Sequence, residues 1–306
     1  LQLWLAGLNL YVLMRVLGVG RPGALTAALV YQMAGSMLTS AVFPMILATT
    51  PWLPLVLAMV ELTIRQQPAL GGRPASLPWA AIGAIALGMA ALAGHVEALY
   101  FTLLVAAFYA GWRLIALLLA GRGEPGAWRR VLLRGVWVAA MAAAGLALGA
   151  VQTTPAAELA SRSFRSEAAS LRDVLGWALP PRRLIAFVMP NFFGNPAHQS
   201  VLDVFTWQRV PILVNAAGQP VASTEWGIKN YVEGAASLGI LPLLLAALAL
   251  VHWLAARLRP RGAPPVRRHL AGETAARPYR ALFGALGVLA ASFAFGLPTY
   301  ALVYYG

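Results

Sequence analysis

The sequence has no cysteine and few charged residues, and both shortages restrict what the protein can be. Without cysteine the chain forms no disulfide, no thiolate metal site and no cysteine nucleophile. Charged residues make up 11% of the 306 residues, whereas soluble domains carry roughly 25%. With 60% hydrophobic residues and a mean hydropathy of +0.71, the composition predicts an all-α polytopic membrane protein.

Several familiar catalytic motifs are also missing from the sequence. It contains no GxSxG, no Walker phosphate loop, no HExxH and no glycine-rich dinucleotide fingerprint after a strand. The four histidines are spread along the chain, which argues against a histidine metal cluster. We therefore assign no metal ligands, although His95 and His198 together with carboxylates could still hold a divalent cation.

Apolar stretches of helical length predict about eight transmembrane helices, because a spanning helix needs roughly 20 apolar residues. The expected ranges are 1–17, 22–38, 51–64, 78–93, 97–120, 131–151, 235–254 and 281–297. A short outer loop or re-entrant turn is expected over 39–50. The first six helices form a predicted N-terminal region, 1–151, and the last two a C-terminal region, 234–306. Because the chain opens inside an apolar helix without Met, we expect it to be part of a longer protein.

The basic residues predict which side of the membrane each loop occupies. If the eight helices alternate in direction, one side receives 16 arginines and three glutamates, and the other receives seven basic and seven acidic residues. By the positive-inside rule the first side is the cytoplasm. This assignment explains the net charge of +13 better than nucleic-acid binding does, and the basic loop 257–280 is then cytoplasmic.

The polar segment 152–233 is then one large extracytoplasmic loop. It holds six of the ten acidic residues and the only lysine, Lys229. Residues 166–179 alternate apolar and charged side chains at helical spacing, which predicts an amphipathic helix on the membrane surface, ended by Pro180 and Pro181. Residues 201–221 are expected to form an irregular segment or a short hairpin with its turn at 215–220.

Four clusters on this predicted outer side carry the candidate functional residues. They are the turn GHVEALY, the segment QTTPAAELASRS, the turn MPNFFGNPAHQ and the segment STEWGIKNYVEG. We select Glu97 and Glu158 as candidate catalytic carboxylates. The candidate substrate-binding residues are His95, Gln152, Arg162, Arg165, Asn191, Phe192, Glu225, Lys229 and Tyr231.

Simpler structural explanations remain open for each cluster. His95 and Glu97 can cap a helix, and Glu158 and Arg162, four residues apart, can form an ordinary helix-surface ion pair. Phe192 and Tyr231 can anchor the chain at the membrane interface, which is the commoner use of such aromatic residues. The functional alternative for Arg162 is bidentate recognition of a lipid phosphate.

Four segments, in order along nearly the whole chain, resemble the bacterial YfhO-like membrane proteins, which are related to the GT-C glycosyltransferases. The segments are AGHVEALYF, QTTPAAELASRS, LPPRRLIAFVMPNFFGN and EWGIKNYVEGAASLGILPLLLA. They are similar to the AGHPQ-type turn, the Q-x-x-P-x-x-E-x-x-x-x-S segment, the P-x-x-x-G loop and the Y-x-G-x-x-P-L re-entry of that family. Val96 and Glu97 depart from the pattern, in which Pro and Gln are common.

The resemblance implies a GT-C-like enzyme of the bacterial plasma membrane that transfers a sugar with inversion. The implied donor is a polyprenyl-phosphate sugar, and the implied acceptor is a glycan or polymer outside the cytoplasm. In GT-C enzymes the catalytic base is usually an acidic residue of the first outer loop, which we expect to lie upstream of Leu1. Two alternatives stay open: a transporter or flippase for a lipid-linked glycan, and a non-catalytic membrane assembly protein.

Overall fold

The protein is described here as a computed structural model covering most of the chain. The described residues are 1–69, 72–162, 170–190, 192, 200–202, 206–211, 232, 234–235, 237–258 and 273–305. Within these residues the chain is predominantly helical, which confirms the predicted fold class in its coarse form, a helical membrane-type protein.

Thirteen α-helices lie in the described residues. Their bounds are α1 Gln2–Val16, α2 Arg21–Gln32, α3 Gly35–Thr39, α4 Pro44–Thr49, α5 Trp52–Arg65, α6 Leu77–Leu92, α7 Val96–Ala120, α8 Ala127–Leu148, α9 Ala150–Ser161, α10 Leu171–Gly176, α11 Ile240–Leu258, α12 Glu273–Ala294 and α13 Ala301–Tyr305. Short 3-10 helices cover Ser40–Val42, Pro181–Phe187 and Pro298–Tyr300.

Three helices are long and apolar enough to cross a membrane. They are Pro44–Arg65, in which α4 leads into α5, together with α7 and α8. The number rises to five if two bent pairs, Arg21–Gln32 with Gly35–Val42 and Tyr279–Ala294 with Pro298–Tyr305, each count as one span. Leu77–Leu92 and Ile240–His252 are apolar but shorter. The chain is therefore of membrane type, while eight spans remain a prediction.

The chain divides into two compact units. The first unit contains Leu1–Gln32, Val42–Ala168 and His269–Val288, and the second contains Met33–Ala41, Ala169–Arg268 and Leu289–Gly306. The candidate residues with described side chains lie in the first unit, apart from Phe192.

Helix α5 is the central helix of the first unit. Every residue from Val56 to Ile64 is buried, so α5 is enclosed on all sides, as expected for a helix that is apolar around its whole circumference. It packs against α1, α6, α7 and α8. Helices α7 and α8 bury few of their apolar side chains, which suits contact with lipid.

Glycines let α6 and α8 approach each other closely. A Cβ atom added at Gly145 of α8 would lie 2.8 Å from the Cβ of Leu87, and one added at Gly88 of α6 would lie 2.9 Å from the Cβ of Leu148. Both distances are shorter than carbon atoms tolerate, so any larger residue would push the helices apart. Small residues commonly provide this close helix contact in membrane proteins.

The second unit contains α3, α10, α11, α13 and a 3-10 helix, Pro181–Phe187. Helix α10 is shorter than the predicted amphipathic helix. It begins after Ser170, whose hydroxyl accepts a hydrogen bond from the Asp173 N–H at 3.2 Å, and it ends at Gly176. The predicted residues 166–169 lie outside the described part.

A short antiparallel hairpin lies at the start of the region 201–221, and it is not the predicted one with its turn at 215–220. Strand β1, Ser200–Leu202, pairs antiparallel with β2, Arg209–Pro211, with Val201 opposite Val210. The connection therefore spans 203–208, and not the Asn-Gly-Pro-containing stretch 215–220, which lies outside the described residues. Trp207 in this connection has a positive φ of 56°, a backbone conformation that residues other than glycine and asparagine rarely adopt.

Candidate functional site

The turn between α6 and α7 is built by Gly94 and His95. Gly94 has a φ of +81°, a conformation that glycine adopts easily, and this lets the chain reverse after α6. His95 is the N-cap of α7, and its Nδ1 atom accepts a hydrogen bond from the Ala98 N–H at 3.0 Å. The capping interpretation of His95 is therefore confirmed.

Glu97 lies in the first turn of α7 and is exposed. Its negative charge is favourable there, because the unpaired N–H groups at a helix N-terminus carry partial positive charge. The carboxylate is accessible for proton transfer, and it shares its turn with the His95 cap.

Gln152 of α9 lies over this same turn. A Cβ atom added at Gly94 would be 3.0 Å from the Gln152 Nε2 atom, so only glycine leaves room for the amide side chain. Helix α9 follows α8 after Gly149, and it packs against both α6 and α8. Two clusters far apart in sequence are thus brought together, one around Gly94 and the other beginning at Gln152.

Glu158 and Arg162 form the simple ion pair that their spacing allows. The Arg162 Nη2 atom lies 2.9 Å from the Glu158 Oε1 atom, and both side chains are mostly exposed. Such a surface pair contributes at most about 1 kcal/mol, so it leaves both groups free to exchange partners. The structural explanation is confirmed for this pair.

The remaining candidate residues are mostly outside the described part of the chain. Arg165, Asn191, Glu225, Lys229 and Tyr231 belong to this set, and so does His198. Phe192 is described and half-buried, and its backbone N–H donates to the Met189 carbonyl at 3.0 Å.

No group of three or more histidines, aspartates or glutamates is close enough to hold a metal ion within the residues that the structure describes.

A second polar cluster lies at the other end of the first unit, inside the core. We call it the Glu61 centre, and it consists of Glu61, Arg65, Tyr109, Arg113 and Tyr279. Glu61 is fully buried, on the face of α5 that meets α7 and α12. The candidate-residue selection from sequence missed all five members.

The Glu61 carboxylate accepts five hydrogen bonds. Arg113 is bidentate, with Nε 2.9 Å from Oε2 and Nη2 2.8 Å from Oε1. Arg65 Nε donates to Oε1 at 2.6 Å. The hydroxyls of Tyr109 and Tyr279 donate to Oε2 and Oε1, each at 2.7 Å. A buried carboxylate with this many donors is satisfied in its ionised form.

Further contacts join the Glu61 centre to a fourth helix. Arg65 Nη1 donates to the Val16 carbonyl at the end of α1, at 2.9 Å, and Arg65 Nη2 also contacts the Tyr279 hydroxyl. The Tyr279 ring lies 5.2 Å from the Arg113 guanidinium carbon and 5.7 Å from that of Arg65, within range of cation–π attraction. The centre therefore connects α1, α5, α7 and α12.

Two signals in the sequence could have revealed this cluster. Glu61 interrupts the otherwise apolar stretch WLPLVLAMVELTI, and a carboxylate inside a predicted span is rare enough to need a partner. Arg65 follows Glu61 by four residues, and Arg113 follows Tyr109 by four, so each pair shares one helix face. Only the fold brings Tyr279 to the same point, 218 residues after Glu61.

The two clusters lie at different levels along α7, one at its start and the other in its second half. Arg113 follows Glu97 by 16 residues, which is about 24 Å along a helix that rises 1.5 Å per residue. The hydrocarbon layer of a bilayer is roughly 30 Å thick. The distance along α7 between Glu97 and Arg113 is thus most of the thickness of this layer.

Comparison of the chain with protein-family models, with curated proteins and with solved structures finds no match. The fold and the contacts described above are therefore the basis for inferring its function.

Proposed function

We propose that this protein is a GT-C-like membrane glycosyltransferase that uses a polyprenyl-phosphate sugar. The observation that carries this proposal is the contact between Gly94 and Gln152. It joins the first two of the four segments that resemble YfhO-like proteins. If both segments line one substrate site, they must lie together in the fold although more than 50 residues separate them in the sequence. The corner formed by Gly94 and Gln152 meets this requirement.

The proposed site lies outside the cytoplasm of a bacterial plasma membrane. Support comes from the charge distribution. The Gly94 corner is at the start of α7, whereas Arg113 and the arginine-rich segment 121–130 are towards and beyond its other end. By the positive-inside rule the arginine-rich end faces the cytoplasm. A lipid-linked donor would then reach the corner from the outer leaflet, and the acceptor would be an extracytoplasmic glycan or polymer.

The reaction requires a proton acceptor and a cation. The acceptor hydroxyl attacks the anomeric carbon and forms the new glycosidic bond, while the carbon–oxygen bond to the lipid phosphate breaks and its electron pair leaves with the phosphate. Glu97, exposed in the first turn of α7, would take the hydroxyl proton. Arg162 can exchange its exposed contact with Glu158 for a phosphate oxygen. Gln152 would orient the sugar.

The test is transfer of labelled sugar from polyprenyl-phosphate donors by the full-length protein in proteoliposomes. We expect Glu97→Gln to lower the rate by about 100-fold or more, the usual contribution of general-base catalysis. The matched control is Glu124→Gln, an exposed glutamate in the turn between α7 and α8, which should leave the rate unchanged.

Three outcomes would change the proposal. If the folded protein neither binds nor consumes any donor, the glycosyltransferase assignment is wrong. If donor binds and transfer continues in Glu97→Gln at the original rate, Glu97 is not the base, and an upstream carboxylate becomes the candidate. If lipid-linked sugar crosses the bilayer without transfer, the protein is a transporter.

One observation favours the transporter alternative. Transporters place ionisable groups inside their spans, and Glu61 is such a group. All its hydrogen-bond capacity is occupied by two guanidinium groups and two hydroxyls, however, which is the arrangement of a structural ion pair. Flux measured on Glu61→Gln, after its stability has been checked, separates these two roles, because only a transport site would alter the ion coupling.

A further inference from the structure

We propose that Arg130 and Arg134, at the start of α8, bind the headgroup phosphate of an anionic phospholipid. The site faces the leaflet at the arginine-rich end of the first unit. It is independent of the glycosyltransferase proposal, since it lies at the opposite end of α7 and α8 from the Gly94 corner.

The electrostatic attraction comes from an excess of arginine at this end. The described residues of α5, of the second half of α7, of turn 121–126 and of the first two turns of α8 hold six arginines and two glutamates, a net charge of +4. One glutamate is Glu61, which is buried among its own partners. Anionic lipid headgroups are attracted to such surfaces on the cytoplasmic side.

The geometry selects two of these arginines. Arg130 and Arg134 are four residues apart, so they lie on one face of α8. Arg130 contacts Glu124 through Nη2, and Arg134 Nη2 lies 3.4 Å from the Gln66 Oε1 atom at the end of α5. Each contact engages one Nη atom, and a guanidinium carries five N–H donors in a planar fork that suits phosphate oxygens.

Tryptophan residues mark this region as the level of the headgroups. Trp128 is 65% exposed and lies two residues before Arg130 and six before Arg134. Trp79 donates its Nε1–H to the Gln67 carbonyl at 2.7 Å, beside Gln66. Because indole rings concentrate at membrane–water interfaces, the arginines one turn away are at phosphate depth.

The apolar surface next to the arginines favours a lipid over a soluble anion. Leu133 follows Arg130 by three residues on the same face and is 54% exposed, and Leu132 and Val136 beside it are exposed as well. An acyl chain can cover these side chains while its phosphate contacts Arg130 and Arg134. Inorganic phosphate would bind the guanidinium groups and leave this apolar surface uncovered.

The test counts lipids bound to the whole protein by native mass spectrometry from micelles doped with phosphatidylglycerol or phosphatidylcholine. We expect one phosphatidylglycerol molecule to be retained, and Arg130→Gln/Arg134→Gln to weaken its binding by about 30-fold, which corresponds to the loss of one hydrogen-bonding partner of about 1 kcal/mol at each position. The Arg130→Lys/Arg134→Lys variant, which keeps both charges without the planar fork, should show a smaller loss.

The matched control is Arg122→Gln/Arg129→Gln, which removes the same charge from the same end but from other positions. A threefold effect or less is expected in this control. Equal losses in the two double variants would mean a diffuse attraction and would overturn the proposal. Equal retention of phosphatidylcholine, or full competition by inorganic phosphate, would overturn it too. The unfolding temperature of each double variant in phosphatidylcholine alone verifies that it folds.

Discussion

Glu61 is the residue on which the packing of the first unit depends most. Its carboxylate balances one of the two adjacent guanidinium charges and accepts hydrogen bonds from α5, α7 and α12. A buried ion pair contributes little net stability compared with an apolar core, but losing one partner leaves the other charge uncompensated. The Glu61 centre therefore adds little net stability compared with an apolar core, whereas removing one of its charged members lowers the stability strongly.

We predict that Glu61→Gln lowers the free energy of unfolding by about 3 to 5 kcal/mol, because Arg65 and Arg113 lose their counter-charge. The measurement is loss of helical circular dichroism during denaturant titration in detergent. Glu158→Gln is the matched control, since its ion pair with Arg162 is exposed and its loss should cost less than about 1 kcal/mol. Similar losses of unfolding free energy in both variants would show that the Glu61 centre does not stabilise the packing of these helices.

At the scale of elements, the contact between α6 and α8 is set by where glycine occurs along α8. Gly145 lies against Leu87 and the Ala84 carbonyl, whereas Gly135, three turns earlier, is at ordinary van der Waals distance from Leu114. Both glycines are inside the same helix, so their intrinsic helix propensities are equal. Only their surroundings differ.

Alanine substitutions at these two positions should therefore have opposite effects on stability. Gly135→Ala should stabilise the protein by about 0.5 to 1 kcal/mol, because alanine loses less backbone entropy in a helix. Gly145→Ala should destabilise it by about 1 to 3 kcal/mol, since the added methyl group overpacks the interface with Leu87. Unfolding curves of the two variants provide the comparison, and stabilisation by both would refute the close contact.

Sequence patterns located some elements of this fold well and others poorly. The predicted helix 97–120 matches α7, because a long apolar stretch that starts after Gly94 and ends at Gly121 has clear limits. The predicted helix 131–151 misses a break at Gly149, where α9 begins. Helix α9 continues through Pro155. Hydropathy does not register such a break, since Leu148 before it and Ala150 and Val151 after it are all apolar.

The candidate site was predictable in part. The segments around His95 and Gln152 were chosen for polar residues at the edge of apolar stretches, and their proximity depends on how α6 and α9 pack. The Glu61 centre was not selected, because its members come from three helices, α5, α7 and α12, that are far apart in the sequence. Spacing rules identify partners within one helix, whereas partners across helices require the fold.

At the scale of the whole molecule, the distribution of arginine predicts the orientation of the protein in the membrane. We predict that Ser161→Cys, at the exposed end of α9, reacts with a membrane-impermeant maleimide in intact cells. Glu124→Cys, in the turn between α7 and α8, should react only after the cells are permeabilised. The absence of native cysteine makes each label unambiguous.

The reverse labelling pattern would place the Gly94 corner in the cytoplasm. A lipid-linked donor in the outer leaflet could not reach it there, and the proposed reaction would be ruled out independently of any activity measurement. Labelling of both positions in intact cells would contradict the assignment of α7 and α8 as membrane-crossing helices.

The late position of Tyr279 in the chain has a consequence for biosynthesis. Arg113 leaves the ribosome 166 residues before Tyr279, which is roughly ten to thirty seconds at ordinary translation rates. During this interval Glu61 has its two arginines and Tyr109 but lacks the last hydroxyl. The Glu61 carboxylate thus lacks one hydrogen-bond donor until α12 is inserted. A quality-control protease that recognises an incompletely packed span would have this interval in which to act.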